Sequence, residues 1–373
     1  MTKPMVLAFV LAVLVAAPAS VLVALYRSEQ FDPAPFPGDF SDQTISVPEI
    51  HSGILKASEK VGEGLLPGPE DLAYDAASGF LYTGCDDGWI RRIKLQKEGE
   101  MAKEAVEDWA YIGGRPLGIA FGPDKQLLVA SAYKGLVSVG VDRTVRLLAE
   151  EAEGLRFGMA DGVDVAADGT VYFTDASYKY NLAHHMVDIM EGRPQGRLMS
   201  FDPATARTEV LLSGLYFANG VAMSPDQGSV VFCETPLRRC RRCHVRGEKK
   251  GAVDHFVDNL PGFPDNIRYD DAGRFWIGLS GGKSKSWDLL LRHPMLRKMA
   301  VVSSKIADFS HHMLKGAGVL SVSLEGEPLA LYTDRELMLS TVGLRVGRHL
   351  YYGSLVKSYI SRIPLDELVV GKQ

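Results

Sequence analysis

Five oxygen-bearing side chains, Glu70, Asp161, Asn219, Asp265 and Asn266, occupy matching places in a pattern that recurs along the chain. Each stands at the head of a short apolar run, although acids and amides normally avoid strand interiors. Clustered carboxylates repel one another unless a cation joins them. A ligand set of oxygen alone, without His or Cys, favours a hard ion, and Ca2+ takes about 6–8 oxygens in flexible geometry. The chemistry expected of these residues is therefore a central calcium site. The competing reading is that each merely caps a turn in its own unit, as Asp168, Asp226 and Asp270 do beside Gly or Pro.

The elements that must position them are strands. Runs of four to six residues alternate with turns rich in Gly, Pro, Asn and Asp, and long amphipathic helical patterns are rare. Six runs align: Leu81-Tyr82-Thr83-Gly84, Leu128-Val129-Ala130-Ser131, Val171-Tyr172-Phe173-Thr174, Val230-Val231-Phe232-Cys233, Phe275-Trp276-Ile277-Gly278 and Leu350-Tyr351-Tyr352-Gly353. Their spacing lies mostly in the forties, the size of a four-stranded propeller blade, and is lengthened elsewhere by insertions. Six such units cannot bury both faces alone and must stack radially. The fold expected is an all-β, six-bladed β-propeller over residues 56–368. A β-sandwich would give short strands without a motif recurring in register. Counting back 10 to 12 residues from each aligned run gives Glu70, Leu117, Asp161, Asn219, Asp265 with Asn266, and Thr341. In a propeller these positions meet at the axis.

The ends of the chain and its charge set the context. Met5 to Tyr26 is apolar and uncharged, long enough to cross a bilayer as a helix. Residues 1–27 read as a signal anchor, or as a signal peptide cleaved near Ala17-Pro18-Ala19-Ser20. Either way the rest of the chain enters the secretory pathway, with the membrane as a partner if the segment stays uncleaved. Residues 28–55, with Pro33, Pro35, Pro37 and Pro48, read as a linker along the folded body. The chain has 373 residues, ordinary globular composition and a net charge of -5, which gives no electrostatic case for nucleic acid. Four cysteines are too few for a disulfide scaffold, and Cys240-Arg241-Arg242-Cys243 lacks the second ligand pair a zinc site needs. The basic run Arg238 to Arg246 reads as an outer strand with solvated charges.

Six motifs in order, Gly68-Pro69-Glu70-Asp71-Leu72, Gly114-Arg115-Pro116-Leu117-Gly118-Ile119, Ala160-Asp161-Gly162-Val163-Asp164, Tyr172-Phe173-Thr174-Asp175-Ala176-Ser177, Phe217-Ala218-Asn219-Gly220-Val221 and Gly262-Phe263-Pro264-Asp265-Asn266-Ile267-Arg268, resemble the plant strictosidine synthase-like proteins. The resemblance runs from about residue 60 to 365. The chain is also similar to the adipocyte plasma membrane-associated proteins and, more distantly, to paraoxonases and other calcium-dependent phosphotriesterase or lactonase propellers. The resemblance implies a lumenal location, in the endoplasmic reticulum or vacuole, and an esterase or lactonase activity on a small-molecule substrate. It implies that calcium is held by Glu70, Asp161, Asn219, Asp265 and Asn266, with Asp161 departing from the usual Asn. The hydrolytic mechanism expected has calcium polarising a carbonyl or phosphoryl oxygen. Asn219 and Asp265 are the candidate catalytic residues, and Asp265 positions or deprotonates water or attacks directly. The glutamate base of true strictosidine synthases falls at Thr341, whose hydroxyl cannot exchange a proton near neutral pH as a carboxylate does. Alkaloid condensation is therefore not expected, unless a shift of register brings Glu336 or another base into play. The paraoxonase histidine of the second blade is replaced by Leu117.

Two insertions carry the remaining signals. Residues 178–195 include Leu182, Met186, Ile189 and Met190 at near-helical spacing, with adjacent His184 and His185 that diverge too far to share a metal. They read as a surface or lid element. Residues 283–315 include Trp287, Leu290, Leu291, Met295, Leu296 and Met299, broken by Pro294 into two helices that pack on the blades, roof an apolar pocket or touch a membrane. Three functions follow: a calcium-dependent hydrolase of a small apolar ester or lactone, a non-catalytic binding propeller with structural calcium, and a condensing synthase using another base.

Overall fold

The computed structural model describes residues 31–95, 105–302 and 315–365, together with Ser20. Apart from one two-stranded hairpin, the strands form six sheets arranged as blades, antiparallel except for one parallel strand at the edge of blade five. Blade one comprises Leu72–Asp75, Phe80–Gly84, Trp89–Lys94 and Val106–Tyr111, and blade two Pro116–Phe121, Leu127–Ser131, Gly135–Val139 and Val145–Ala149. Blade three comprises Ala160–Val165, Val171–Asp175, Gly196–Asp202 and Arg207–Leu215, and blade four Ala218–Met223, Ser229–Glu234, Arg239–His244 and Val253–Val257. Blade five comprises Gly262–Tyr269, Arg274–Gly282, Gly318–Ser323 and Pro328–Thr333. Blade six takes Ser340–Val346, His349–Ser354 and Ile360–Pro364 from the C-terminal end and its outermost strand, Glu59–Val61, from the N-terminal end. All six aligned apolar runs are second strands of their blades, so the six-bladed propeller expected from the sequence is the fold observed.

These runs become second strands because both of their faces are covered. Ser229–Glu234 is buried throughout, as a strand between two blades must be, and β-branched and aromatic residues suit that environment. Apolar clusters lie between successive blades. Ile119 and Val129 meet Tyr82 and Trp109 between blades one and two, and Phe232 and Val221 meet Tyr172 and Leu198 between blades three and four. Blades six and one share Val342, Tyr351, Leu72 and Leu81. Each fully buried Leu, Val or Phe contributes about 1.5–3 kcal/mol, so the ring is held by its inter-blade seams. Turns are closed by local carboxylates: Asp168 Oδ1 accepts from Thr170 N at 3.0 Å and Asp270 Oδ1 from Ala272 N at 2.9 Å.

Glu151–Ala152 and Leu155–Arg156 form a small hairpin outside the blades, and two strands from the N-terminal stretch join blades out of chain order. Glu59–Val61 pairs with Ile360, Ser361 and Arg362 and closes the ring. Glu49–Ser52, within the stretch read as linker, pairs in parallel with Ala330 to Thr333 and gives blade five a fifth strand. The basic run around Cys240 is the third strand of blade four rather than its edge, and its charges are paired: Arg239 with Glu234 at 2.6 Å and Arg241 with Asp258 at 2.5 Å. Cys233 and Cys240, register partners on neighbouring strands, form a disulfide. The Cys240–Cys243 pair therefore does not act together, and Cys243 is a buried free thiol.

The insertions fold onto one end of the ring. A seven-residue helix, His185–Glu191, follows the second strand of blade three. A helix pair, Lys285–Arg292 and Pro294–Val302, follows the second strand of blade five. Ser284 caps the first of the pair by accepting from Trp287 N at 3.2 Å, and Pro294 ends it by forcing His293 into extended backbone. Trp287, Leu290 and Leu291 pack with Met190, Phe263 and Phe31. Residues from the N-terminal stretch tie both insertions together: Ala34 N donates to Glu191 O at 2.9 Å, and Arg297 donates to Met190 O at 2.8 Å and to Ala34 O. Among the described residues no helix is long and apolar enough to cross a membrane. The apolar run 5–26 lies outside them, Ser20 excepted.

Candidate functional site

A recurrent irregularity builds the site. The first strand of five blades slips register against the second, between Pro116 and Ile119, Ala160 and Val163, Ala218 and Val221, Pro264 and Ile267, and Ser340 and Gly343. Such bulges re-aim side chains, and the slipped residues are Leu117, Asp161, Asn219, Asp265 with Asn266, and Thr341. Glu70, just ahead of Leu72, completes the circle for blade one. Glycines make the circle tight. A Cβ on Gly162 would lie 2.7 Å from Asn219 O, and one on Gly220 would lie 2.6 Å from Asp265 O. Gly118 and Gly353 approach Asp161 O and Glu70 O in the same way. Only a residue without a side chain lets each blade press against its neighbour's site residue.

Hydroxyls then fasten neighbouring blades at the same level. Thr174 Oγ1 donates to Asn219 O at 2.6 Å, and Thr235 Oγ1 to Pro264 O at 2.7 Å. Thr341 Oγ1 donates to Glu70 O. The residue at the synthase-glutamate position is thus a fastener for Glu70. Glu336 is no substitute: its exposed side chain pairs with Lys315 at 2.6 Å. Among the described residues, the loops beside the first two C-terminal strands of blade six present only Leu339 and Leu355 to the pocket.

The five predicted oxygen donors are all buried and are brought together. Asn266 Nδ2 donates to Glu70 Oε1 at 2.6 Å, and the Asn219 side chain hydrogen-bonds Asp265. Three buried acceptors, Glu70 Oε2, Asn219 Oδ1 and Asn266 Oδ1, have no hydrogen-bond partner among the described residues. An unsatisfied buried acceptor costs about 1–3 kcal/mol, and three around one axis are what an oxygen-liganded cation would satisfy. The electrostatics agree. Burial, then the charges of Asp265, Asp71 and Asp161, pushes Glu70 well above the usual carboxylate range. Burial and Asp161 raise Asp265, against the Asn219 hydrogen bond. Burial, Asp71 and Asp175 lift Asp161 to about 8. Three carboxylates so placed cannot all ionise without a counter-cation. No group of three or more His, Cys, Asp or Glu among the described residues forms a metal cluster by itself, so the amide oxygens of Asn219 and Asn266 are needed to complete a ligand set.

Beneath this layer the axis is closed. Arg268 pairs with Asp71, Nε to Oδ1 at 3.1 Å, and donates to Ile119 O at 3.0 Å, Val163 O at 3.2 Å, and Val221 O and Ile267 O at 3.4 Å. Burial pushes the guanidinium down, but Asp71 and Asp164 outweigh it and hold it above its ordinary value. Above the layer lies a pocket of about 90 Å3. Its floor is Glu70, Asp161, Asn219 and Asp265, and its walls are mainly apolar, with Met186, Ile189, Phe217, Phe263 and Trp287. His185 also lines it, whereas His184 is exposed and hydrogen-bonds Asn181. The pocket role of His185 is not readable from sequence, because a seven-residue helix carries too little periodicity to orient a ring.

Fold and site together define a six-bladed propeller with an axial cluster of oxygen donors under an apolar lid. The chain belongs to the strictosidine synthase-like family. Residues 161–248 match the strictosidine synthase family model and residues 54–93 the strictosidine synthase-like N-terminal model. It is 48% identical over 351 residues to protein strictosidine synthase-like 6 of Arabidopsis thaliana, with 93% of each chain covered. It is 33% identical to the human adipocyte plasma membrane-associated protein, covering 89% of this chain and 84% of that one. Among solved structures, a gluconolactonase of Xanthomonas campestris aligns with a TM-score of 0.58 at 16% identity, covering 89% of this chain and 98% of that one. A calcium-binding regucalcin of Agrobacterium tumefaciens aligns with a TM-score of 0.59 at 14% identity, covering 85% and 95%. These two likenesses are of fold.

Proposed function

We propose that this chain is a calcium-dependent hydrolase, of esterase or lactonase type, for a small apolar substrate in the endomembrane lumen. The observation that carries this reading is the set of three unpartnered buried oxygens, Glu70 Oε2, Asn219 Oδ1 and Asn266 Oδ1, beside Asp161 and Asp265 at the floor of an apolar pocket. Glu70, Asp161, Asn219, Asp265 and Asn266 would hold the ion. When bound, calcium supplies Lewis-acid polarisation of a substrate oxygen. Asn219 and Asp265 position the reacting groups, and Met186, Phe263 and Trp287 bind the apolar part of the substrate and keep bulk water out. Thr341 in place of a carboxylate argues against a condensing synthase. The Cys233–Cys240 disulfide supports an oxidising compartment, and the apolar run 5–26 supports entry into it, with membrane attachment where the run is retained.

The test is a screen of aryl esters and lactones with the full-length protein, with calcium and with chelator. Asp265→Ala and Asn219→Ala are each expected to lower kcat/KM by about 10²-fold or more and to weaken calcium binding. If both variants keep hydrolysis and calcium, the assignment is wrong.

A further inference from the structure

A hydrolase must take a proton from its attacking water, and the pocket narrows the choice of group. Glu70, Asp161 and Asp265 are assigned to the ion, and an oxygen lone pair engaged by a cation is a poor base. The lining hydroxyls are committed: Thr235 donates to Pro264 O and Ser280 to Phe263 O at 3.2 Å. Among the described residues, the one remaining lining side chain that can exchange a proton near neutral pH is His185.

Its geometry fits that task. Nδ1 lies 2.8 Å from Leu182 O. A backbone carbonyl only accepts, so Nδ1 carries the hydrogen and Nε2 keeps its lone pair. Nε2 makes no protein hydrogen bond among the described residues. The ring sits on the first residue of the lid helix His185–Glu191, which is pinned at its other end by Arg297 on Met190 O and by Ala34 on Glu191 O.

Resting on the hydrolase reading above, we propose that His185 is the general base, a catalytic residue supplied by the lid rather than by a blade. Water loses a proton to Nε2 as its oxygen bonds to the substrate carbonyl carbon. The carbon–oxygen bond to the leaving alkoxide then breaks, and the alkoxide takes the proton back from Nε2. Ester and water become acid and alcohol, and the imidazole returns to its neutral form. Burial pushes His185 below the ordinary imidazole value, against the Leu182 hydrogen bond, which keeps it a neutral acceptor at physiological pH. The charged and titratable groups that share its pocket or its helix are Glu70, Asp161 and Asp265, which line the pocket, and Asp188 and Glu191 on the helix, where Lys179 pairs with Glu191 at 2.7 Å and Arg297 donates to Met190 O at the far end.

The experiment compares the full-length protein with His185→Gln and His185→Ala, on the best ester or lactone substrate, across pH. His185→Gln is expected to lower kcat by about 10²–10⁴-fold, with KM, calcium affinity and melting temperature near the parent's. The acid limb of the parent's kcat/KM profile is expected to disappear in the variant, and added imidazole to restore part of the activity of His185→Ala. An active parent whose variants keep kcat and the acid limb would overturn the base and leave the hydrolase reading standing. A parent without calcium-dependent hydrolysis would overturn both.

Discussion

Arg268→Met removes one side chain that touches five blades. Its guanidinium meets Asp71 of blade one, Ile119 O of blade two, Val163 O of blade three and Val221 O of blade four, from its own strand in blade five. Methionine fills much of the volume but donates nothing, so Asp71 becomes a buried carboxylate without its counter-charge. Breaking a buried pair by removing one partner costs about 3–5 kcal/mol. At roughly 2–4 °C per kcal/mol for a domain approaching this size, the melting temperature should fall by about 6–20 °C. Differential scanning calorimetry at fixed pH and fixed calcium reads this directly. The double variant Arg268→Met with Asp71→Asn removes the stranded charge but keeps an acceptor for only one of Leu72 N and Ile119 N, which donate to different carboxylate oxygens at 2.8 Å, so it should recover only part of the loss, about 1 kcal/mol. A loss under about 1 kcal/mol for the single variant, or strict additivity in the double, would refute the idea that this guanidinium closes the axis.

Glu70, Asp161 and Asp265 are raised in the metal-free fold, so their contribution is fullest below the ordinary carboxylate range and is lost as pH rises toward about 8, where Asp161 titrates. With chelator the melting temperature should therefore fall between pH 5 and 8, and saturating calcium should abolish or reverse that slope; a slope that calcium leaves unchanged would count against the ion site. Gly220→Ala drives a methyl to 2.6 Å from Asp265 O. It should cost about 1–3 kcal/mol and weaken calcium binding, whereas Gly38→Ala, with open space at its Cβ, should do neither when the two are compared by calorimetry and calcium titration.

The blades are legible in the sequence because each second strand is apolar on both faces and bounded by turn residues, a pattern that survives without knowledge of its neighbours. The axial donors are legible for a related reason: Asp161, Asn219 and Asp265 violate the composition of the strands they open. What escapes is whatever depends on partners far along the chain. Glu59–Val61 is three residues long with two of them exposed, so nothing local marks it as a strand. Cys233 and Cys240 meet only through the register of two strands, and the spacing of Cys240 and Cys243 points elsewhere. Arg268 lies in a recognisable motif, but its role rests on carbonyls from three other blades and a carboxylate from a fourth. The orientation of His185 is set by packing of the lid, which no periodicity over seven residues encodes.

The joint in blade six governs how the molecule is made. Glu59 and Arg362, joined by a salt bridge, are 303 residues apart in the chain, so the ribosome must release nearly the whole polypeptide before the first repeat strand finds its partner. Until then blade one presents an uncovered flank, with Leu72 and Leu81 lacking Val342 and Tyr351. Ring closure is the last and least local event of folding, where slow steps and aggregation concentrate. The nascent chain thus needs protection longest at its oldest end, and a lesion near residue 360 should show itself as misfolding that begins at residue 60.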